Sequence, residues 1–158
     1  MSLERRLVLI AVMAGVIAGT IDVGAACVIN SASPTVILHA IASGLIGKPA
    51  RSGGLPTALL GLLLQWVMSI LIAAIYLAAT AARPAWRRRW IPTGVLAGIV
   101  IFAVMNYLVV PLSAAPFRPP FTLHALLTAF SVAKFLENLV AMILFGLIVA
   151  YCARERGT

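Results

Sequence analysis

The chain has 158 residues, of which 63% are hydrophobic and 10% are charged, and its mean hydropathy is +1.09. This composition excludes a soluble globular protein, because so few polar residues cannot cover a surface that faces water. The net charge of +8 would favour a nucleic-acid partner in a soluble chain. Because the basic residues flank long apolar runs instead, we expect the lipid bilayer as a partner and no nucleic acid.

Four apolar runs are long enough to cross a bilayer as helices. They cover about residues 7–29, 57–81, 93–110 and 133–152, and a hydrocarbon core about 30 Å thick needs roughly 20 apolar residues per crossing. The third run is predicted to stop at Pro111, since proline interrupts helical hydrogen bonding. The sequence therefore predicts an all-α integral membrane bundle of four transmembrane helices, folded as one domain over residues 1–158.

One or two short helices are expected on the outer side of this bundle. Residues 34–46 are apolar but span only half a bilayer, which fits a re-entrant or a surface helix. Residues 123–152 exceed a single crossing. They form either one long tilted helix, or a second short outer helix at about 122–132 followed by the fourth span.

The basic residues are distributed unequally between the two ends of the helices. With four crossings, one end carries eight arginines and the other carries three basic residues. Cytoplasmic loops are enriched in Lys and Arg, so we expect both termini and the loop at 83–89 to be cytoplasmic. The eight are Arg5, Arg6, Arg83, Arg87, Arg88, Arg89, Arg154 and Arg156, and the three are Lys48, Arg51 and Arg118.

Two glycine pairs have the spacing that lets helix backbones approach closely. Gly15 and Gly19 lie in the first span, and Gly94 and Gly98 occupy the same place in the third. We expect the first and third spans to pack on each other through these pairs. The surrounding sequences GVIAG and GVLAG, with LHAI and LHAL further along, also indicate two parallel repeats related by an axis along the membrane normal.

Polar residues from all four spans are expected in one layer of the outer half of the bilayer. A helical rise of 1.5 Å per residue puts one polar residue of each span about 20 to 25 Å from the inner edge. Polar groups in hydrocarbon bond to one another, so we predict a buried hydrogen-bonded cluster. The four are Asp22, Gln65, Asn106 and Glu137, with Lys134 and Asn138 beside Glu137 at helical spacing.

Three interpretations of these polar residues remain open. A structural cluster would fix helix packing and assembly. Alternatively, two carboxyl groups facing one lysine would leave one acid free to exchange a proton, as in a proton-coupled or polar-solute transporter. A third interpretation is a haem or metal site at His39 and His124, which fall at matching places of the repeat. With two histidines and no spacing motif we expect no cofactor.

The stretch 104–113, VMNYLVVPLS, resembles a family of small uncharacterised bacterial inner-membrane proteins with four spans. Asp22, residues 41–47 (IASGLIG) and residues 61–64 (GLLL) are also similar. The resemblance implies topology and an inner-membrane location, and no activity. This chain departs from the family at Gln65 and at Glu137 and Asn138, where histidines are common.

Enzyme activity is not expected, because neither Ser43 nor Ser113 has a histidine or an acid placed by sequence as its base. The leading prediction is an interaction or accessory protein of the membrane, with the polar layer fixing helix packing. Glycine-rich faces on two helices also favour a homo-oligomer or a larger membrane complex.

Overall fold

Four long helices dominate the computed structural model, which describes residues 3–81, 83–115 and 132–154. Each is long and apolar enough to cross a membrane, and no strand occurs in these ranges, so the predicted all-α class with four membrane-spanning helices is confirmed. The span ends differ from the predicted ones by no more than four residues. The elements are α1 (Leu3–Asn30), α2 (Pro34–Ile46), a 3₁₀ turn (Lys48–Ser52), α3 (Gly54–Ala81), α4 (Pro84–Arg88), α5 (Trp90–Val104), a π turn (Met105–Val109), α6 (Val110–Leu112) and α7 (Val132–Ala153).

The third span does not stop at Pro111, as the sequence predicted, but continues to Leu112. A π turn over Met105–Val109 precedes the proline, and the N–H of Val110 donates to the carbonyl of Met105, five residues earlier. A proline ring crowds the carbonyl four residues before it in an α-helix. The wider π turn relaxes the backbone at this place, so the helix passes the proline before it ends.

The long helices pack in the order α3, α1, α7, α5. Small side chains let α1 approach its neighbours, since Ala14, Ala18 and Ala73 are buried together with Phe145 and Val149 of α7. The core therefore lies where α1, α3 and α7 meet, while α5 packs mainly on α7. The two halves of the chain form two helix pairs, α1 with α3 and α5 with α7.

The short helix α2 begins and ends where the predicted outer helix does, and it packs on the start of α3. The Ser33 hydroxyl caps its first turn, and Pro34 occupies the first helical position. The carbonyl of Leu38 lies directly against Gly61 of α3. The N–H of Ala114 donates to the carbonyl of Gly44 over 2.9 Å, so α2 also touches the chain that follows α6. The second predicted outer helix, at about 122–132, falls almost wholly outside the described residues.

Candidate functional site

A polar seam joins the second half of α1 to the first half of α3. It consists of Gly19, Thr20, Asp22, Gln65 and Trp66. The Nε2 of Gln65 donates to Oδ2 of Asp22 over 2.9 Å and to the carbonyl of Gly19 over 3.3 Å. The indole N–H of Trp66 donates to the hydroxyl of Thr20 over 3.1 Å. Two side chains of one helix are therefore held by two successive residues of the other.

Close approach of the two helices makes the polar seam possible. A β-carbon added to Gly15 would lie 2.5 Å from the Cα of Ile70, and one added to Gly19 would lie 2.5 Å from Oγ of Ser69. Because glycine has no side chain, the two backbones come close together, and the side-chain amide of Gln65 reaches Asp22 and the carbonyl of Gly19. Asp22 lies one helical turn beyond Gly19, so it shares the glycine face, as the spacing predicts.

Two other predicted members of the polar layer, Asn106 and Asn138, bond within their own helices. The side-chain amide of Asn106 donates to the carbonyl of Phe102 over 2.9 Å, and that of Asn138 donates to the carbonyl of Lys134 over 2.8 Å. Lys134 and Glu137 lie exposed near the start of α7. The structure thus joins Asp22 to Gln65 and differs from the single buried cluster that we expected. Helical rise gives the depth of a residue but not its direction, and the depths alone could not reveal the pairing of helices.

The predicted packing of the first span on the third is wrong, although both glycine pairs lie in close helix contacts. Gly15 and Gly19 face α3, whereas an added β-carbon on Gly94 or Gly98 would meet the backbone of α7. Gly146 of α7 completes this second contact, since its added β-carbon would meet backbone atoms of Gly94 and Gly98. Each glycine pair therefore packs on the next long helix of its own half. The spacing identifies a close-packing face but not the partner helix.

The histidine site has one described member. The Nε2 of His39 lies 2.8 Å from the carbonyl of Gly54, a contact between α2 and the start of α3. His124 lies outside the described residues. Within the described ranges, no three residues of the types His, Cys, Asp and Glu come together in a way that could hold a metal ion.

The arginine loop, residues 83–89, lies at the end of the bundle away from α2, and two of its arginines make specific contacts with neighbouring residues. Arg87 donates from Nε to the Thr80 hydroxyl over 3.3 Å and from Nη2 to the carbonyl of Leu77 over 3.0 Å, so it caps α3. Arg83 lies over the ring of Trp86, with its guanidinium carbon 4.7 Å from the ring centroid. The cluster of arginines alone predicted a cytoplasmic loop beside the lipid bilayer, and nothing in its pattern indicated which arginine would cap the helix.

An apolar groove of about 460 Å³ separates α3 from α5. The two helices meet at the arginine-loop end, where the Tyr76 and Thr93 hydroxyl groups are 3.1 Å apart. Towards the other end the lining is aliphatic, and it reaches Met68 on α3 and Val109 beyond α5. Neither Asp22 nor Gln65 lines this groove. The side chain of Gln65 points from α3 towards α1, where it bonds to Asp22, whereas the groove lies between α3 and α5.

The geometry of the seam limits the chemistry that it supports. The amide N–H of Gln65 can donate to a carboxylate oxygen or to the carbonyl oxygen of a protonated acid, so the Asp22–Gln65 bond can form in either protonation state. The other polar groups of the seam are a backbone carbonyl, a threonine hydroxyl and an indole N–H. These groups hold helices together and supply no pair of nucleophile and base.

No family model, no curated protein and no solved structure matches this chain. The features of this chain that bear on function are the seam, the groove and the exposed faces of the helices.

Proposed function

We propose that this chain is a multi-pass protein of the bacterial inner membrane that acts through contacts with other membrane components, and that its intramembrane polar groups fix helix packing. The observation that carries the proposal is the pairing of Asp22 with Gln65 across the α1–α3 contact. In hydrocarbon an unpaired polar group is costly, so this bond selects one alignment of the two helices.

The surface supports a role in interaction. In the apolar stretches of the four spans, between 11% and 28% of the residues are buried, so most residues are at least partly exposed. The span that contains α5 has the smallest buried share. A bundle so thin leaves most of its apolar surface to lipid or to other helices, as in a subunit of a larger assembly or a homo-oligomer.

A double-mutant cycle tests the packing role. Asp22→Leu and Gln65→Leu, alone and together, are compared in a mild detergent by thermal unfolding and by size-exclusion chromatography. Hydrogen bonds between membrane helices average about 0.6 kcal/mol and reach about 1.7 kcal/mol, and we expect a coupling free energy in this range. Asp22→Asn is the matched variant, because its amide oxygen still accepts from Gln65, and it should unfold near the wild-type temperature.

A transporter is the rival function, and the same variants separate the two. Purified protein in liposomes that contain a pH-sensitive dye is given a potassium diffusion potential, and proton flux is recorded. The packing role predicts that wild type and Asp22→Asn give the same flux as empty liposomes. A flux present in the wild type and abolished in a normally folded Asp22→Asn protein would overturn the proposal, as would a coupling free energy of zero.

A further inference from the structure

The groove between α3 and α5 has the length and the apolar lining of a binding site for one acyl chain. Its lining on α3 runs from Met68 to Thr80, a rise of about 18 Å. One leaflet of a hydrocarbon core about 30 Å thick is about 15 Å deep. The groove is open along one side and apolar over nearly its whole length. An extended acyl chain of a single leaflet therefore matches it in length and chemistry.

The polar groups of the groove are gathered at one end, beside the arginine loop. Tyr76, Thr80 and Thr93 contribute hydroxyl groups there, and Trp86 contributes its ring. Amphipathic aromatic residues prefer this depth, where the hydrocarbon meets the headgroups. The groove therefore has one polar end at the membrane surface and an apolar body below it, which is also the arrangement of a phospholipid.

Two arginines are tied directly to this polar end. Arg83 stacks on Trp86, and Arg87 donates to Thr80, so both guanidinium groups stand at residues that line the groove. Arg87 uses two of its five N–H donors in the contacts described above. Arg88 and Arg89 are exposed in the same loop, and residues 83–92 contain no acidic residue. Guanidinium groups recognise phosphate oxygens by paired hydrogen bonds and by charge.

From this juxtaposition we propose that the α3–α5 groove binds an anionic phospholipid, with one acyl chain along the groove and the phosphate at Arg83 and Arg87. Basic pockets between membrane helices bind anionic headgroups in this way. A second copy of the chain fits less well. Set side by side in the same orientation, it would bring its own arginine loop to the same end of the groove, and like charges would repel.

Tryptophan quenching by brominated lipids tests this site. The full-length protein is placed in nanodiscs of phosphatidylcholine that contain rising fractions of brominated phosphatidylglycerol or brominated phosphatidylcholine. The Trp86 signal is taken as the difference between wild type and Trp86→Phe. We expect the anionic lipid to quench at a lower mole fraction than the zwitterionic one, by about fivefold for each arginine that contacts the phosphate.

Two pairs of variants separate headgroup binding from chain binding. Arg83→Gln should reduce the ratio of the mole fractions at which the two lipids quench Trp86 by about fivefold. Lys48 is an exposed cation at the other end of the bundle, so Lys48→Gln should leave this ratio unchanged. Ala97→Phe fills the groove and should weaken quenching by both lipids. Ala103→Phe adds the same bulk to an exposed position of α5 that does not line the groove, and it should have no effect.

Three results would overturn the proposal. Equal quenching by both lipids in the wild type would mean ordinary solvation of the helices. An unchanged ratio in Arg83→Gln would remove the headgroup contact. In a protein with Cys27 and Cys152 replaced by alanine, a disulfide-linked dimer of Leu71→Cys that excludes the brominated lipid would assign the groove to a second copy.

Discussion

Glycines decide at the scale of single residues how closely the helices of this bundle approach. A β-carbon on Gly98 would collide with the backbone of Ile143, which cannot move without moving α7. The sequence identified this glycine by its spacing from Gly94, because small residues four apart form one flat face of a helix. On the opposite helix Gly146 is followed four residues later by Ala150 and not by a second glycine, and its role in the contact became clear only from the structure.

Gly98→Ala is expected to destabilise the contact of α5 with α7. Overpacking a tight site commonly costs about 1 to 3 kcal/mol, and thermal unfolding of the purified protein in detergent measures the loss. Gly24→Ala is the matched control, since an added β-carbon there meets no atom within 4 Å. Equal unfolding temperatures for the two variants would show that the close contact at Gly98 contributes nothing to stability.

The sequence determines which way the Asp22 side chain points, but it does not determine which residue is its partner. Its direction follows from Gly19, three residues earlier on the same helix face. Its bond to Gln65 depends on which helix lies opposite, and four apolar helices of similar composition give no signal for that choice. The same uncertainty explains why Glu137 was expected in the cluster but lies exposed on α7.

At the scale of elements, α2 is held by backbone contacts and one side chain. The carbonyl of Leu38 touches Gly61, and the imidazole of His39 reaches the carbonyl of Gly54. The length and apolarity of residues 34–46 predicted the helix itself. Its docking on the first turns of α3 depends on Gly61, and the length and apolarity of residues 34–46 gave no indication of that contact.

Gly61→Ala should therefore loosen α2, because the new methyl group would collide with the Leu38 carbonyl. We expect faster hydrogen exchange of the peptides that cover 34–46, with little change in α7. Gly44→Ala tests the specificity of this effect, since an added β-carbon there makes only an ordinary contact, 3.8 Å from Cβ of Ser113. Slow exchange of α2 in both variants would argue that other contacts hold this helix.

At the scale of the whole molecule, the two halves repeat one packing rule. Gly15 and Gly19 bring α1 onto α3, and Gly94 and Gly98 bring α5 onto α7. The matching sequences around these glycines predicted a repeat but not its geometry. Packing within each half favours the parallel repeat, in which a glycine-bearing span precedes the long helix that it contacts.

The proposed orientation places the arginine loop in the cytoplasm and the 3₁₀ turn outside. In a protein with Cys27 and Cys152 replaced by alanine, Ser52→Cys and Arg88→Cys each introduce one thiol at an exposed position, at opposite ends of the bundle. A membrane-impermeant maleimide should label Ser52→Cys in intact spheroplasts and Arg88→Cys only after lysis. Labelling of Arg88→Cys in intact spheroplasts would reverse the orientation.

The alanine-lined contact of α1 with α7 is the main joint between the two helix pairs, and the gap between α3 and α5 lies on its far side. Ala14 and Ala18 have no long side chains to interlock there. Rocking the pairs about this joint would change the width of the gap, and with it the area that the protein occupies in the plane of the membrane. Lateral pressure from the surrounding lipid acts on that area, so such rocking would couple the tension of the bilayer to the filling of the groove.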